Sequence, residues 1–128
     1  MTIRVVVAEL EQNGTYLLTQ RLATATLPLL WEFPGGRVRE GEDVEEALHR
    51  SIAFRIGARI DIQEILMEHT HEYDGYQVTL IVFRAALCSD VQAVNVEDVR
   101  WVPFEDLHTY PFPKADQRTM ELLLQDGT

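Results

Sequence analysis

The feature that most constrains the fold is a helix pattern that lies between several strand patterns. Within residues 43–56, apolar side chains recur at every fourth position: Val44, Leu48, Ile52 and Ile56. This spacing predicts an amphipathic helix with one apolar stripe. Glu42 or Asp43 is suited to cap its start, and Gly57 stands where a C-terminal glycine is expected. The sequence therefore predicts one central helix with a defined start and a defined end.

Six other segments have the β-branched and apolar composition of strands: residues 3–8, 16–18, 31–33, 58–67, 76–87 and 96–102. The Asn13-Gly14 pair between the first two predicts a hairpin. Residues 103–107 predict a turn that opens at Pro103, and residues 115–124 predict a closing helix. This order of elements predicts an α+β fold, namely an α/β/α sandwich with a mixed sheet between helices.

Composition places the chain among globular proteins and not among disordered ones. Its 128 residues are 46% hydrophobic and 25% charged, which fits one domain over residues 1–128. The strongest apolar run, residues 78–83, is too short for a membrane span, and residues 1–7 lack the apolar core of a signal peptide. The single cysteine, Cys88, fits a reducing cytoplasm, and we expect it to be a small buried side chain at a strand end.

The net charge of −10 disfavours nucleic-acid binding, which depends on cationic side chains that displace counterions. The charge is unevenly distributed, however. Residues 37–59 contain five Arg and five acids, whereas residues 60–128 contain thirteen acids and four bases. We expect the acidic half to be solvated surface and residues 37–59 to be the region where an anion binds.

Residues 36–58 match part of a known motif, whose pattern is G-x5-E-x7-R-E-U-x-E-E-x-G-U with U aliphatic. The matching residues are Gly36, Glu42, Arg50, Ile52 and Gly57. This stretch resembles the Nudix box, and residues 31–36 (WEFPGG) resemble the segment that leads into it in MutT-type Nudix proteins. The order of elements on both sides also agrees, so the resemblance covers nearly the whole chain. It implies a Nudix fold and a nucleoside di- or triphosphate pyrophosphohydrolase.

The chain departs from the motif at the three glutamates that bind the metal ion in the family, where it has Ser51, Phe54 and Arg55. Positions i, i+3 and i+4 of a helix share a face, so we expect these side chains to converge. Mg²⁺ prefers carboxylates, waters and phosphates as ligands, so no metal is expected at the usual site. A fourth carboxylate of the family is missing too, because Asn95 stands near its position.

Replacement metal ligands would have to come from nearby acids, of which the candidates are Glu42, Glu46 and Asp98, with Glu40 and Glu45 in addition. In the family, the residue at Arg50 orients the glutamates and the residue at Glu42 supports the loop before the helix. Here we expect both to be scaffold, with Glu46 and Arg50 paired across one turn. His69 and His71 share one strand face without an evident third ligand, so we interpret them as surface or substrate-proximal histidines.

The resemblance also implies a nucleotide-binding site, whose candidate residues are Phe33, Gly35, Gly36, Arg37, Arg55, Phe112 and Asp116. Residues 110–116 resemble the segment that helps to hold the nucleobase, and CTP pyrophosphohydrolases of this subgroup carry Ala-Asp at the positions of 115–116. A carboxylate accepts from the exocyclic amino group of cytosine, and Phe33 and Phe112 can stack on a base. Alternatively, Asp116 caps the closing helix and Phe112 belongs to the core.

Three functions are compatible with these features. The first is an Mg²⁺- or Mn²⁺-dependent nucleotide hydrolase with relocated metal ligands. The second is a nucleotide-binding module in which Arg55, with Arg37, Arg39 or Arg50, meets the phosphates directly. The third is a base-recognition module like the C-terminal domain of MutY glycosylases, which the charge of −10 disfavours. We favour the second, with a catalytically impaired site, a cytosine-type nucleotide as ligand, and a homodimer left open.

Overall fold

Seven strands and three helices make up the described part of the chain. The computed structural model describes residues 1–114 and 116–125. Its strands are β1 (Thr2–Gln12), β2 (Thr15–Gln20), β3 (Trp31–Glu32), β4 (Gly35–Arg37), β5 (Ile60–Tyr73), β6 (Tyr76–Leu87) and β7 (Asp98–Pro103). Its helices are α1 (Val44–Ile56), a 3-10 helix (Phe104–Thr109) and α2 (Gln117–Gln125). Ala115, where the sequence predicts the start of the closing helix, and residues 126–128 lie outside the described residues.

Strand β1 has neighbours on both sides and connects the two halves of the sheet. It pairs in parallel with β6, and antiparallel with β4 and with the start of β2. Strand β5 pairs antiparallel with β6, and β2 continues in antiparallel pairs to β3 and β7. The sheet is therefore mixed, as the sequence predicts.

The side chains of β1 alternate between the two faces of the sheet. Val6 belongs to the main core together with Leu48 and Ile52 of α1. Val5 and Val7 point to the opposite face, where side chains of α2 lie. The two α-helices therefore cover opposite faces, which confirms the expected α/β/α sandwich.

Helix α1 begins and ends as the sequence predicts. Asp43 is the N-cap: its carboxylate accepts from the Glu46 N–H at 2.8 Å, and the Glu46 carboxylate accepts from the Asp43 N–H at 3.5 Å. This capping box satisfies backbone N–H groups that the first turn of a helix leaves unpaired. Gly57 ends the helix in the left-handed conformation, with φ 60°, and its N–H donates to the Ala53 carbonyl.

Two hairpins connect neighbouring strands. Asn13 and Gly14 have φ of 51° and 78°, the left-handed values that a tight hairpin turn requires, which confirms the hairpin predicted there. The second hairpin joins β5 to β6 across Asp74 and Gly75. Strand β5 runs to Tyr73 and not only to residue 67, because its polar C-terminal half stays paired with β6 as far as this turn.

Arg50 connects α1 to the loop and strand that precede it. Its Nε and Nη2 donate to the two carboxylate oxygens of Glu42 at 2.8 and 2.9 Å, and Nη2 also donates to the Arg37 carbonyl at 2.8 Å. The Arg39 N–H donates to the same carboxylate at 3.0 Å. The expected pair of Arg50 with Glu46 is therefore wrong, since the Glu46 carboxylate serves the capping box. These hydrogen bonds lower the pKa of Glu42 to about 2, and the bond from Arg50 makes the largest contribution.

Cys88 is exposed, so the expectation of a buried cysteine is wrong. It directly follows β6, and its N–H donates to the Arg59 carbonyl at 2.8 Å, so its side chain stands beyond the packed layers at the end of the sheet. Within residues 1–114 and 116–125, no helix has the length and apolar character that crossing a bilayer requires.

In the variant Glu42→Gln, the Tm is expected to fall less between neutral and acidic pH than in the wild type. Because the folded-state pKa of Glu42 lies below the unfolded value of about 4.3, its carboxylate contributes stability above that value. This contribution is lost as the pH falls through the window towards about 2. In thermal melts, the wild type should exceed the variant in Tm at neutral pH and approach it as the pH falls through this window. Glu40→Gln, at an exposed residue, is the control; equal Tm values of Glu42→Gln and wild type at neutral pH contradict the prediction.

Candidate functional site

A cavity of about 150 Å³ lies between the β1–β6 face of the sheet and α2, and we call it the first cavity. Its apolar wall comes from three elements and consists of Val5, Val7, Val78, Leu80, Met120, Leu123 and Leu124. Four charged side chains also line it, namely Arg21, Glu32, Arg37 and Arg55. An apolar wall with a few charged groups suits a ligand that combines a flat ring with a negative charge.

Five of the seven residues that the sequence assigns to substrate binding line this cavity, namely Phe33, Gly35, Gly36, Arg37 and Arg55. The close approach of β4 to β1 explains why residue 35 is a glycine. A Cβ on Gly35 would stand 2.0 Å from the Val6 carbonyl oxygen, so a larger residue would push the two strands apart. The close pairing of β4 with β1 brings Arg37 to the cavity wall.

Phe112 and Asp116, the other two candidates, do not line the first cavity. The Phe112 ring packs against the Phe33 ring at 5.8 Å between centroids and belongs to a small core with Leu18. The Asp116 carboxylate accepts from the Thr119 N–H at 2.8 Å, as a cap of α2 does. This bond lowers the pKa of Asp116. Both side chains thus have the structural roles that the sequence left open as alternatives.

An aromatic cluster holds β3 against the segment that leads to α2. The Trp31 N–H donates to the Pro111 carbonyl at 2.8 Å, and the Trp31 and Tyr110 rings meet edge to face at 5.1 Å between centroids. The Arg100 guanidinium lies over the Trp31 ring, 5.1 Å from its centroid, in a cation–π contact. Because Phe33 follows directly on β3, this cluster fixes the aromatic corner of the first cavity.

A second cavity, of about 250 Å³, adjoins the first. It is lined by Arg21, Leu22, Thr24, Ala25, Phe54, Arg55 and Asn95. Arg21 and Arg55 line both cavities and so stand at the boundary between them. The described lining of the second cavity contains two arginines and no carboxylate.

Arg21 is a structural cation at this boundary. Its side chain is 3% exposed, and its Nη1 pairs with the Glu32 carboxylate at 3.4 Å. Its Nε and Nη2 donate to the Thr26 carbonyl at 3.1 and 2.8 Å, and its Nε donates to the Leu27 carbonyl at 3.2 Å. Arg21 therefore organises residues 21–30, and the Thr26 hydroxyl in turn donates to the Leu122 carbonyl of α2 at 2.8 Å.

The three altered box positions do not converge on one surface, so this expectation is wrong. Ser51 is 3% exposed and lies between α1 and the sheet, whereas Phe54 is 59% exposed. Phe54 and Arg55 both reach the second cavity, and Ser51 lines neither cavity. The reason is that the buried face of α1 is wide enough to include position 51 beside Leu48 and Ile52.

The residues at the box do not fit a divalent cation. Glu42 is bound by Arg50, and Glu46 belongs to the capping box. Asp98 accepts from the Nε of Arg100 at 3.2 Å and from a backbone N–H at 2.8 Å. Across the described ranges, no three His, Cys, Asp or Glu side chains are grouped so that they could hold a metal ion. Mg²⁺ needs oxygen ligands such as grouped carboxylates, and the positive charge of Arg55 repels it.

His69 and His71 lie on one face of β5, with ring centroids 6.5 Å apart. Their partners on β6 are Leu80 and Val78, which line the first cavity. The two histidines thus stand beside the wall of this cavity, on the side of the sheet that α2 covers. The His71 ring also packs on Tyr73 at 4.5 Å between centroids.

Sequence reasoning missed part of the cavity wall. Arg21 was overlooked, although an arginine that directly follows a strand and precedes a largely apolar loop (residues 22–30) is a candidate for a buried ion pair. The wall from α2 was overlooked as well, although Met120, Leu123 and Leu124 have the i, i+3, i+4 spacing of one helix face. The aliphatic residues of β1 and β6 carried no signal that separates a cavity wall from ordinary core.

Asn95, near which the resemblance implies a carboxylate, binds the end of α1. Its side-chain Nδ2 donates to the Phe54 carbonyl at 2.7 Å, and its N–H donates to the Arg55 carbonyl at 3.0 Å. Two carbonyls in the last turn of the helix are thereby satisfied. Asn95 also lines the second cavity.

Comparisons with known proteins agree with this geometry. A family model described as the NUDIX domain matches residues 5–122. CTP pyrophosphohydrolase of Escherichia coli K12 is 30% identical over 95% of this chain and 91% of its own. Nucleoside triphosphatase NudI of Escherichia coli O81 is 34% identical over 95% and 97%.

Solved structures agree as well. The solution structure of the E. coli ORF135 protein is 30% identical, with a TM-score of 0.77 over 97% of this chain and 89% of that one. The crystal structure of the MutT protein from Methanosarcina mazei Go1 shares the fold at 23% identity, with a TM-score of 0.76 over 99% and 96%. The chain therefore belongs to the Nudix hydrolase family, among its MutT-like members.

Proposed function

We propose that this chain binds a nucleotide and that Arg55, in place of a metal ion, neutralises the charge of the phosphates. The observation that carries the proposal is the position of Arg55, which replaces the last glutamate of the box and lines both cavities. Arg37 lines the first cavity from β4. A guanidinium donates parallel N–H···O bonds to phosphate oxygens and stays charged at physiological pH. The two arginines thus supply the charge without a cofactor.

The base of the nucleotide occupies the first cavity in this proposal. Its aliphatic wall and its volume of about 150 Å³ suit one flat ring, and Phe33 offers an aromatic face. Cytosine is the proposed base because the relative in E. coli K12 is a CTP pyrophosphohydrolase.

The second part of the proposal is that hydrolysis at the family's site is severely weakened. Ser51, Phe54 and Arg55 provide no carboxylate that holds a metal ion or accepts a proton from an attacking water. The alternative is a metal-dependent hydrolase with relocated ligands. The activities of the relatives favour it, as do the exposed acids Glu40 and Glu45 near the start of α1.

Arg55→Glu is expected to weaken the binding of CTP by about tenfold or more, because a hydrogen bond to a charged group contributes roughly 1.5–3 kcal/mol. The measurement is isothermal titration calorimetry in EDTA, where the wild type is expected to bind as tightly as it does in Mg²⁺. Arg59→Glu makes the same charge change at an exposed residue that lines neither cavity, and it should leave affinity unchanged. CTP binding that requires Mg²⁺, or an equal loss of CTP affinity in both variants, would contradict the proposal.

Release of nucleoside monophosphate tests the second part. With CTP, dCTP, 5-methyl-dCTP or dGTP as substrate, chromatography should detect no release above background in Mg²⁺, Mn²⁺ or EDTA. The CTP pyrophosphohydrolase of E. coli, assayed alongside, is the positive control. Metal-dependent release that is lost in Glu40→Gln, Glu45→Gln or Glu46→Gln would instead establish the alternative with relocated ligands.

A further inference from the structure

A β-bulge in the edge strand β5 decides which face of the sheet receives the side chains of its C-terminal half. Ile65 pairs with Phe83. The next pair joins Met67 to Val82, which leaves Leu66 as an extra residue in β5. Because paired residues point to the same face of a sheet, one extra residue turns every later side chain of the strand to the other face. Bulges re-aim side chains in this way at functional sites.

Three side chains that can bind a metal ion stand in a row after this bulge, namely Met67, His69 and His71. Their partners on β6 are Val82, Leu80 and Val78. Successive members of the row lie roughly 6.6 Å apart along the strand, as residues two positions apart do. All three are exposed to solvent, Met67 to 46%. The row therefore offers two imidazoles and one thioether sulfur on one accessible face.

The two imidazoles are close enough to share one ion. The ring centroids of His69 and His71 are 6.5 Å apart. An imidazole nitrogen binds a metal ion at about 2.0 Å, so two rings on one ion have their centroids roughly 5–6.5 Å apart. The observed distance lies at the wide end, which corresponds to a large angle between the two metal–nitrogen bonds. The His71 ring also packs on Tyr73 at 4.5 Å between centroids, and this contact restricts its rotation before an ion binds.

The chemistry of the row selects a soft ion. A thioether and imidazoles suit Cu(I), whereas Mg²⁺, Ca²⁺ and Mn²⁺ prefer oxygen ligands. The alternation of the strand places Glu68 and Glu72 on the opposite face. Glu64 lies on the same face as the row, but its carboxylate is paired with Arg84. A site with two nitrogens, one sulfur and a wide angle fits Cu(I), which accepts three ligands.

We propose that Met67, His69 and His71 form a binding site for Cu(I). The thioether sulfur and one ring nitrogen of each histidine are the three ligands. The ion is bound in its reduced state, and no electron transfer is part of the proposal. The site is independent of the proposed nucleotide site, because its three ligands line neither cavity. The bulge at Leu66 is what places them together on this face.

Anaerobic titration with Cu(I), in competition with a chromophoric Cu(I) chelator, tests the site. Every protein in the test carries Cys88→Ser, because the exposed Cys88 thiol is itself a soft ligand. This background protein should bind one Cu(I) per chain. His69→Gln and His71→Gln should each lower the Cu(I) affinity by more than about tenfold, since the loss of a partner outside the ligand shell already costs that much. X-ray absorption spectra should show a sulfur ligand that Met67→Leu removes.

His49→Gln is the matched control, since it removes another exposed imidazole, on α1. It should leave the Cu(I) affinity unchanged. The proposal is overturned if the background protein binds no Cu(I), if His49→Gln lowers the affinity as much as His71→Gln does, or if the spectra contain no sulfur ligand from Met67. None of these results bears on the binding of CTP, so the copper site and the proposed function stand or fall separately.

Discussion

The geometry of the site depends on the three hydrogen bonds that Arg50 donates. They hold the Glu42 carboxylate and the Arg37 carbonyl against α1, and so they join β4, the following loop and the helix into one unit. Strand β4 can lie against β1 only because Gly35 has no side chain. The bonds of Arg50 thus join the strand that carries Arg37 to the helix that carries Arg55, and both side chains line the first cavity. The scaffold of the family site is thus intact in this chain, although its carboxylates are replaced.

Replacing carboxylates by an arginine reverses the charge of the site. Three glutamates would attract a cation, and the cation would then attract phosphates. In the proposed function, Arg55 makes the first step unnecessary and offers its positive charge to the phosphates directly, at the boundary of the two cavities. The chain as a whole works against this attraction, because its net charge of −10 repels anions at long range. The local cations therefore have to act at hydrogen-bonding distance, where a guanidinium is most effective.

Local sequence signals correctly predicted the helix caps and the hairpin turn, which depend only on residues that are neighbours in the sequence. Asp43, one of the two N-cap candidates, the C-terminal Gly57 and the Asn13-Gly14 hairpin are all confirmed, because each depends on the chemistry of one turn. The partner of Arg50 was not predictable in this way. An i, i+4 pair with Glu46 and a longer-range pair with Glu42 are both compatible with the sequence, and the folded loop decides between them.

The same dependence on the folded structure explains why the residues of the site were only partly predicted. Five residues of the first cavity were predicted because the resemblance to the family extends over the WEFPGG segment, the residue that follows it and the box helix. The wall from α2 and the cation Arg21 come from distant parts of the chain, and only the fold brings them together. The burial of Ser51 and the exposure of Cys88 likewise depend on how far a helix is rotated and where a strand ends.

The most direct test of the central claim is a crystal structure with CTP and Mn²⁺, with anomalous diffraction data to locate the ion. The account predicts that the Arg55 guanidinium lies within hydrogen-bonding distance of the phosphate oxygens and that no anomalous peak is bound by protein carboxylates. A manganese ion held between the phosphates and Glu40, Glu42 or Glu46 would contradict it.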